Sequence, residues 1–179
     1  MSYKFIIQFN LGIKKDVAAL YLIRHGQASF GQENYDQLSD KGKQQAKILG
    51  DYWRLNTPPT SCFVGSLKRH KQTHQYFSQG NEKSDLAAKE IADFDEFDHQ
   101  EIIARYNPKW ADFSEMNQFF AKQQSPRRAF NIEFNSAIER WMSPEYQNDY
   151  QESWLQFKQR CISALYQVIE QSQAIKRTI

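Results

Sequence analysis

The sequence predicts an α/β protein, because strand-like apolar segments alternate with amphipathic helices along its first half. The clearest strand is the uncharged run 18–23, which is cut off by Arg24-His25-Gly26. A continuous run of this kind is typical of a strand buried on both faces of a parallel sheet. A second short strand is predicted over 61–65. Each strand is followed by a loop and a helix, which is the order of an α/β layered fold.

The helix after the first strand has a clear start and a clear apolar face. Ser39 is a suitable N-cap for a helix over residues 41–55. Ala46, Leu49 and Trp53 would then lie on one side of it. This spacing predicts that the helix packs against the sheet.

The other elements are predicted from capping residues and spacing. Ser66 opens a helix over 67–77, and residues 91–97 form a candidate strand whose acidic side chains make it ambiguous. Residues 100–150 contain three prolines and many aromatic side chains, which indicates an inserted helical region. Over residues 152–171 apolar side chains recur at three- and four-residue spacing, which predicts a long amphipathic helix.

The length of 179 residues suits one domain. We expect residues 1–17 to be an N-terminal extension, either an added strand or a loose segment. Residues 18–179 would be the domain, with the helical insertion at about 100–150.

Composition argues against several classes of function. The formal net charge is +2, which gives no global field for nucleic acid or a membrane surface. Residues 82–101 hold eight acidic side chains against two lysines, and we interpret this segment as a solvated face. Cys62 and Cys161 lack zinc-ligand spacing, so we expect reduced thiols. The apolar run 5–7 is too short for a signal peptide or a membrane span, and we expect a soluble cytoplasmic protein.

Histidine and arginine residues follow the ends of the two predicted strands. His25 follows the first strand at its carboxyl end, which is where open α/β sheets bind ligands. Arg69 falls in the first turn of the second helix, where backbone N–H groups favour an anion. Guanidinium groups bind phosphate oxygens through two parallel hydrogen bonds. Arg24 and Arg69 beside one histidine therefore predict a phosphate site.

Five segments follow one another along the chain: Leu20-Tyr21-Leu22-Ile23-Arg24-His25-Gly26-Gln27, Leu38-Ser39-Asp40-Lys41-Gly42, Ser66-Leu67-Lys68-Arg69-His70-Lys71-Gln72-Thr73, Asp95-Glu96-Phe97-Asp98 and the stretch from Glu152-Ser153-Trp154 to Arg160. Together and in this order they resemble the histidine phosphatase (phosphoglycerate mutase-like) superfamily. The resemblance implies a three-layer α/β/α fold with a mostly parallel sheet. It also implies a phosphatase that works through a phosphohistidine.

The resemblance also assigns roles to residues. His25 would attack phosphorus, Arg24 and Arg69 would hold the phosphoryl oxygens, and Glu96 would be the general acid. It implies no metal or other cofactor.

Three further residues are expected to bind the substrate: Gln27, Asn34 and Ser66. Asn34 lies further from the histidine than the family's usual amide side chain, and Ser66 has a second interpretation as a helix cap. We expect the substrate to be a small phosphorylated metabolite or a phosphoprotein, with neither nucleic acid nor membrane as a partner. The sequence does not indicate an oligomeric state.

The family's second histidine, which follows a late strand, has no match in this sequence. We therefore expect that the final strand or strands of the sheet are missing. His99 is close in sequence to Glu96 and is a candidate substitute. Two alternatives stay open: a catalytically inactive phosphate-binding or interaction protein, and, less favoured, a phosphoglycerate mutase. His70 and His74 have metal-ligand spacing, but we interpret them as a solvent-facing pair.

Overall fold

The computed structural model describes residues 5–9, 18–29, 36–56, 59–82 and 86–177. The chain divides into two compact units, Met1–Ala92 and Asp93–Ile179. In its described residues, the first unit combines two helices with two small sheets, whereas the second unit is helical. No helix in these residues is long and apolar enough to cross a membrane.

The sheets of the first unit each contain two strands. Strand β1 (Phe5–Phe9) pairs antiparallel with β2 (Ala18–Leu22). Strand β3 (Cys62–Val64) pairs in parallel with β4 (Ala88–Glu90). A small parallel sheet among helices agrees with the predicted α/β class. The three-layer arrangement and the missing strands stay predictions.

The expected burial of the first strand on both faces is wrong. Tyr21, Leu22 and Ile23 are 40, 39 and 50 % exposed, and the pairing of β2 with β1 is antiparallel. The Tyr21 ring does pack edge-on against Trp53, with centroids 4.5 Å apart. An apolar run indicates that a segment tends to be buried, but it does not specify which other segment will cover it.

The first helix, α1 (Asp40–Arg54), confirms the predicted start. The Ser39 side chain accepts a hydrogen bond from the N–H of Gly42 at 3.1 Å, which satisfies one of the unpaired donors of the first turn. Ala46 and Trp53 are buried on the predicted face.

The second helix, α2 (Lys68–Asn81), packs closely against α1. A side chain at Gly50 would collide with the carbonyl oxygen of Phe77, and one at Gly80 would collide with that of Lys47. Glycine at both positions lets the two helix backbones approach more closely than any other residue would allow. This contact fixes the position of α2 within the first unit.

The strand expected over residues 91–97 is wrong. The strand, β4, ends at Glu90, and Ala92–Phe94 form a 3₁₀ turn. Aspartate is depleted in strands and favoured in turns because its short side chain bonds to nearby backbone groups. The acidic residues here fit that preference.

The second unit is built from four α-helices in its described residues: α3 (His99–Tyr106), α4 (Phe113–Ala121), α5 (Pro126–Met142) and α6 (Trp154–Arg177). One core cluster joins Ile102 to Trp141, and a second joins Ile103 to Trp110. The Trp141 indole N–H donates to the carbonyl oxygen of Glu152 at 2.8 Å, so its polar atom is satisfied.

Candidate active site

His25 lies just beyond the end of β2 and is half-buried. Its Nδ1 is 2.6 Å from the carbonyl oxygen of Gly26. A carbonyl oxygen only accepts hydrogen bonds, so Nδ1 must carry the proton. The neutral ring then has its lone pair on Nε2. The backbone thus selects the tautomer that a nucleophilic imidazole needs.

The backbone after His25 is held from two sides. The N–H of Gly26 donates to the hydroxyl of Thr73 on α2 at 3.1 Å. A side chain at Gly26 would collide with the carbonyl oxygen of Gly42 on α1. Glycine is therefore needed here for close approach of the two backbones. These contacts fix the position of Gly26, whose carbonyl oxygen accepts the hydrogen bond from His25 Nδ1.

The first turn of α2 lies beside His25. Arg69 is buried and stands one helical turn before Thr73, on the same face. Thr73 also donates to the carbonyl oxygen of Arg69 at 2.7 Å. The ring of His70 is 5.8 Å from that of His25, centroid to centroid. The structure therefore brings the predicted second arginine turn to the predicted nucleophile.

Asp36 is part of this site, and sequence reasoning missed it. One carboxylate oxygen accepts from Arg69 Nη1 at 3.0 Å, and the carboxylate also accepts from the backbone N–H groups of Lys68 and Arg69. Asp36 therefore caps α2 and orients the guanidinium. The N-cap position of α2 is occupied by Leu67, which makes no side-chain cap bond, and the role of Ser66 stays a prediction.

The remaining predicted residues of the first unit are distributed as follows. Arg24 is exposed next to His25. Gln27 is exposed, and its carbonyl oxygen accepts from the N–H of Ser39 at 2.9 Å, which ties the loop to α1. Ser66 is half-buried just before α2. Asn34 lies outside the described residues.

Glu96 belongs to the second unit. It is exposed in the loop between the 3₁₀ turn and α3. Asp98, two residues later, N-caps α3 by accepting from the N–H groups of Gln100 and Glu101. His99 is the first residue of that helix.

The two histidines of α2 do not form a solvent-facing pair, and that expectation is wrong. Both are half-buried. His70 packs beside His25, whereas the Nε2 of His74 lies 3.1 Å from the carbonyl oxygen of Leu86. Within the described ranges, no group of three metal-ligating side chains is close enough to hold an ion.

Cys62, on β3, carries a thiol, which is a second possible nucleophile in the first unit. Burial raises the pKa of its thiol. A thiol is nucleophilic only as the thiolate, so the raised pKa disfavours Cys62 as the reactive group. His25 is the better candidate.

Comparison with known families agrees with this geometry. The family model described as histidine phosphatase superfamily (branch 1) matches residues 20–130, more than half of the chain. The chain belongs to the histidine phosphatase superfamily. Membership supports a phosphatase- or mutase-type function. No curated protein and no solved structure matches the chain.

Proposed function

We propose that this histidine phosphatase superfamily member hydrolyses a phosphomonoester through a phosphohistidine on His25. The observation that carries the proposal is the contact between His25 Nδ1 and the Gly26 carbonyl oxygen at 2.6 Å. It assigns the proton to Nδ1, so Nε2 is the nitrogen that would carry the attacking lone pair. The substrate would be a small phosphorylated metabolite or a phosphoprotein.

The reaction would take two steps. His25 Nε2 attacks phosphorus, the bond from phosphorus to the ester oxygen breaks, and Glu96 gives its proton to the departing oxygen. Glu96 then takes a proton from water as that water attacks phosphorus and breaks the bond to nitrogen. Inorganic phosphate leaves, and the neutral imidazole is restored. The assignment of Glu96 rests on the family resemblance.

The cationic groups of the site would bind the phosphoryl oxygens. Arg24 and Arg69 would stabilise the charge that develops in the transition state. Gln27, Ser66 and Asn34 would add hydrogen bonds to the bound phosphate. A guanidinium carries five N–H donors, so the ion pair of Arg69 with Asp36 is compatible with phosphate binding.

Hydrolysis of p-nitrophenyl phosphate tests the proposal. We expect phosphate release by the unaltered chain and its loss in His25→Ala. The matched control is His74→Ala, because His74 is a half-buried histidine of the same unit that bonds to the Leu86 carbonyl instead. No release from the unaltered chain, or equal release from His25→Ala, would overturn the proposal.

One observation favours a protein that is not catalytic. The Asp36 carboxylate already bonds to Arg69 and to the N-terminal N–H groups of α2, where a phosphate would be favoured. Asp36→Asn keeps an acceptor oxygen but removes the charge. If the protein only binds phosphate, this variant should bind inorganic phosphate more tightly without gaining turnover. The control Asp40→Asn removes the same charge and should leave phosphate affinity unchanged.

Phosphoryl transfer between positions of one substrate would instead indicate a mutase.

A further inference from the structure

Arg160, on α6, holds the loop that carries Glu96. Its Nη1 donates to the carbonyl oxygen of Asp93 at 2.9 Å and to that of Asp95 at 2.8 Å. The Asp95 carbonyl belongs to the peptide plane that it shares with the Glu96 nitrogen. Two bonds from one nitrogen therefore fix the backbone immediately before Glu96.

Glu152 fixes the guanidinium in turn. Its two carboxylate oxygens accept from Nε and Nη2 of Arg160, the second at 2.9 Å. The hydrogen bond to Glu152 raises the pKa of Arg160 further. The guanidinium carbon also lies 4.8 Å from the centre of the Phe157 ring. A bidentate pair that is stacked on an aromatic ring has few alternative orientations.

The loop is held on its other side as well. Asp98 caps α3 through Gln100 and Glu101. Glu96 thus lies between a backbone carbonyl held by Arg160 and the fixed start of a helix. Its side chain is exposed, but its backbone is fixed at both neighbouring points.

We propose that Arg160 and Glu152 are positioning residues for Glu96, and this inference rests on the proposed function. A general acid must reach the departing oxygen within hydrogen-bond distance. A displacement of about 1 Å can cost roughly 100-fold in rate. Lysine at position 160 would keep the charge but cannot contact two carbonyls and both oxygens of Glu152 together.

The leaving group distinguishes positioning of the acid from general damage. p-Nitrophenolate is weakly basic and departs with little help from a proton, whereas an alkoxide needs protonation. We expect Arg160→Lys and Glu152→Gln to lower kcat/KM for an alkyl phosphate by about 10- to 100-fold. This ratio reports formation of the phosphohistidine, and not its later hydrolysis, in which Glu96 acts as base for both substrates. The loss with p-nitrophenyl phosphate should be less than about threefold. Glu96→Gln should show the same bias, and more strongly.

Arg140→Lys is the matched control. Arg140 lies in the same unit and donates to the Tyr150 hydroxyl at 2.7 Å and to Asp149. Its variant should lower both rates equally or not at all. Thermal unfolding of each variant checks the fold, and Glu152→Gln carries the test if Arg160→Lys does not fold.

Three outcomes would count against the inference. Equal losses on both substrates in the Arg160 and Glu152 variants would make these residues merely structural. A leaving-group bias in Arg140→Lys would remove the specificity of the effect. An unaltered chain that hydrolyses neither phosphate would overturn the proposed function and this inference with it, which separates that failure from the first two.

Discussion

The imidazole rings of His25 and His70 lie 5.8 Å apart and are tilted by 37°. One ring follows β2 and the other stands in the first turn of α2. The contact exists because Thr73, one turn further along α2, accepts the Gly26 N–H. The contact between the two rings therefore depends on the packing of α2 against the proposed nucleophile.

Replacing His70 tests the importance of that neighbour. His70→Ala would leave space beside His25 and loosen the orientation of its ring, so we expect kcat/KM for p-nitrophenyl phosphate to fall about tenfold. His70→Phe keeps a ring of similar size and should retain most of the activity. His74→Ala is the control. Activity of His70→Ala equal to that of the unaltered chain would show that the contact has no catalytic effect.

The Thr73 hydroxyl is expected to matter for both stability and activity. Thr73→Val keeps the shape but leaves the buried Gly26 N–H without its acceptor, which should lower the free energy of unfolding by about 1–3 kcal/mol. Thr73→Ser keeps the hydroxyl and should behave nearly as the unaltered chain does. Urea unfolding measures both. Equal stability of the valine and serine variants would contradict the role given to this bond.

The close helix contact predicts an unusual sign for a glycine substitution. Alanine usually stabilises a helix interior by about 0.5–1 kcal/mol relative to glycine. At Gly80, however, the added Cβ would collide with the Lys47 carbonyl oxygen. Overpacking of this kind costs roughly 1–3 kcal/mol, so Gly80→Ala should destabilise the protein. Gln79→Ala, at the exposed neighbouring residue, is the control. A Gly80→Ala variant more stable than the unaltered chain would contradict the close approach of Gly80 to the Lys47 carbonyl oxygen.

Stability at alkaline pH should depend on Tyr106. Its hydroxyl donates to Glu133 at 2.9 Å, and this hydrogen bond raises the pKa of Tyr106 above its ordinary value of 10.0. The contribution of this hydrogen bond to the free energy of unfolding is complete at pH values below the unfolded-state pKa of the tyrosine. It is lost as pH rises through the higher folded-state pKa. The stability difference between the unaltered chain and Tyr106→Phe should therefore shrink as pH rises above about 10. A difference that grew with pH would contradict the bond.

Local signals predicted the elements whose causes are local. Ser39 is followed by a helix with Ala46 and Trp53 on one face, and the structure has the cap and the helix where the pattern indicates them. The long helix after residue 152 likewise follows from its own spacing. Capping and periodicity act within a few residues, so the sequence displays them directly.

Contacts between distant segments were not predictable in the same way. The contact of Asp36 with Arg69 joins a loop to a helix start, and neither residue type indicates the other. The pairing of β2 with β1 has the same origin, because an apolar run does not specify its partner. Arg160 and Glu152 lie in a segment that resembles the family. The hydrogen bonds that join them to the loop before Glu96 are nevertheless visible only in three dimensions.

Direct detection of the covalent intermediate tests the central claim. The chain would be incubated with labelled substrate, quenched in alkali and digested, because a phosphohistidine survives alkali and is lost in acid. We predict an acid-labile phosphoryl group on the peptide that contains His25, and no label in His25→Ala. Labelling of another residue, or turnover without any labelled peptide, would contradict the account.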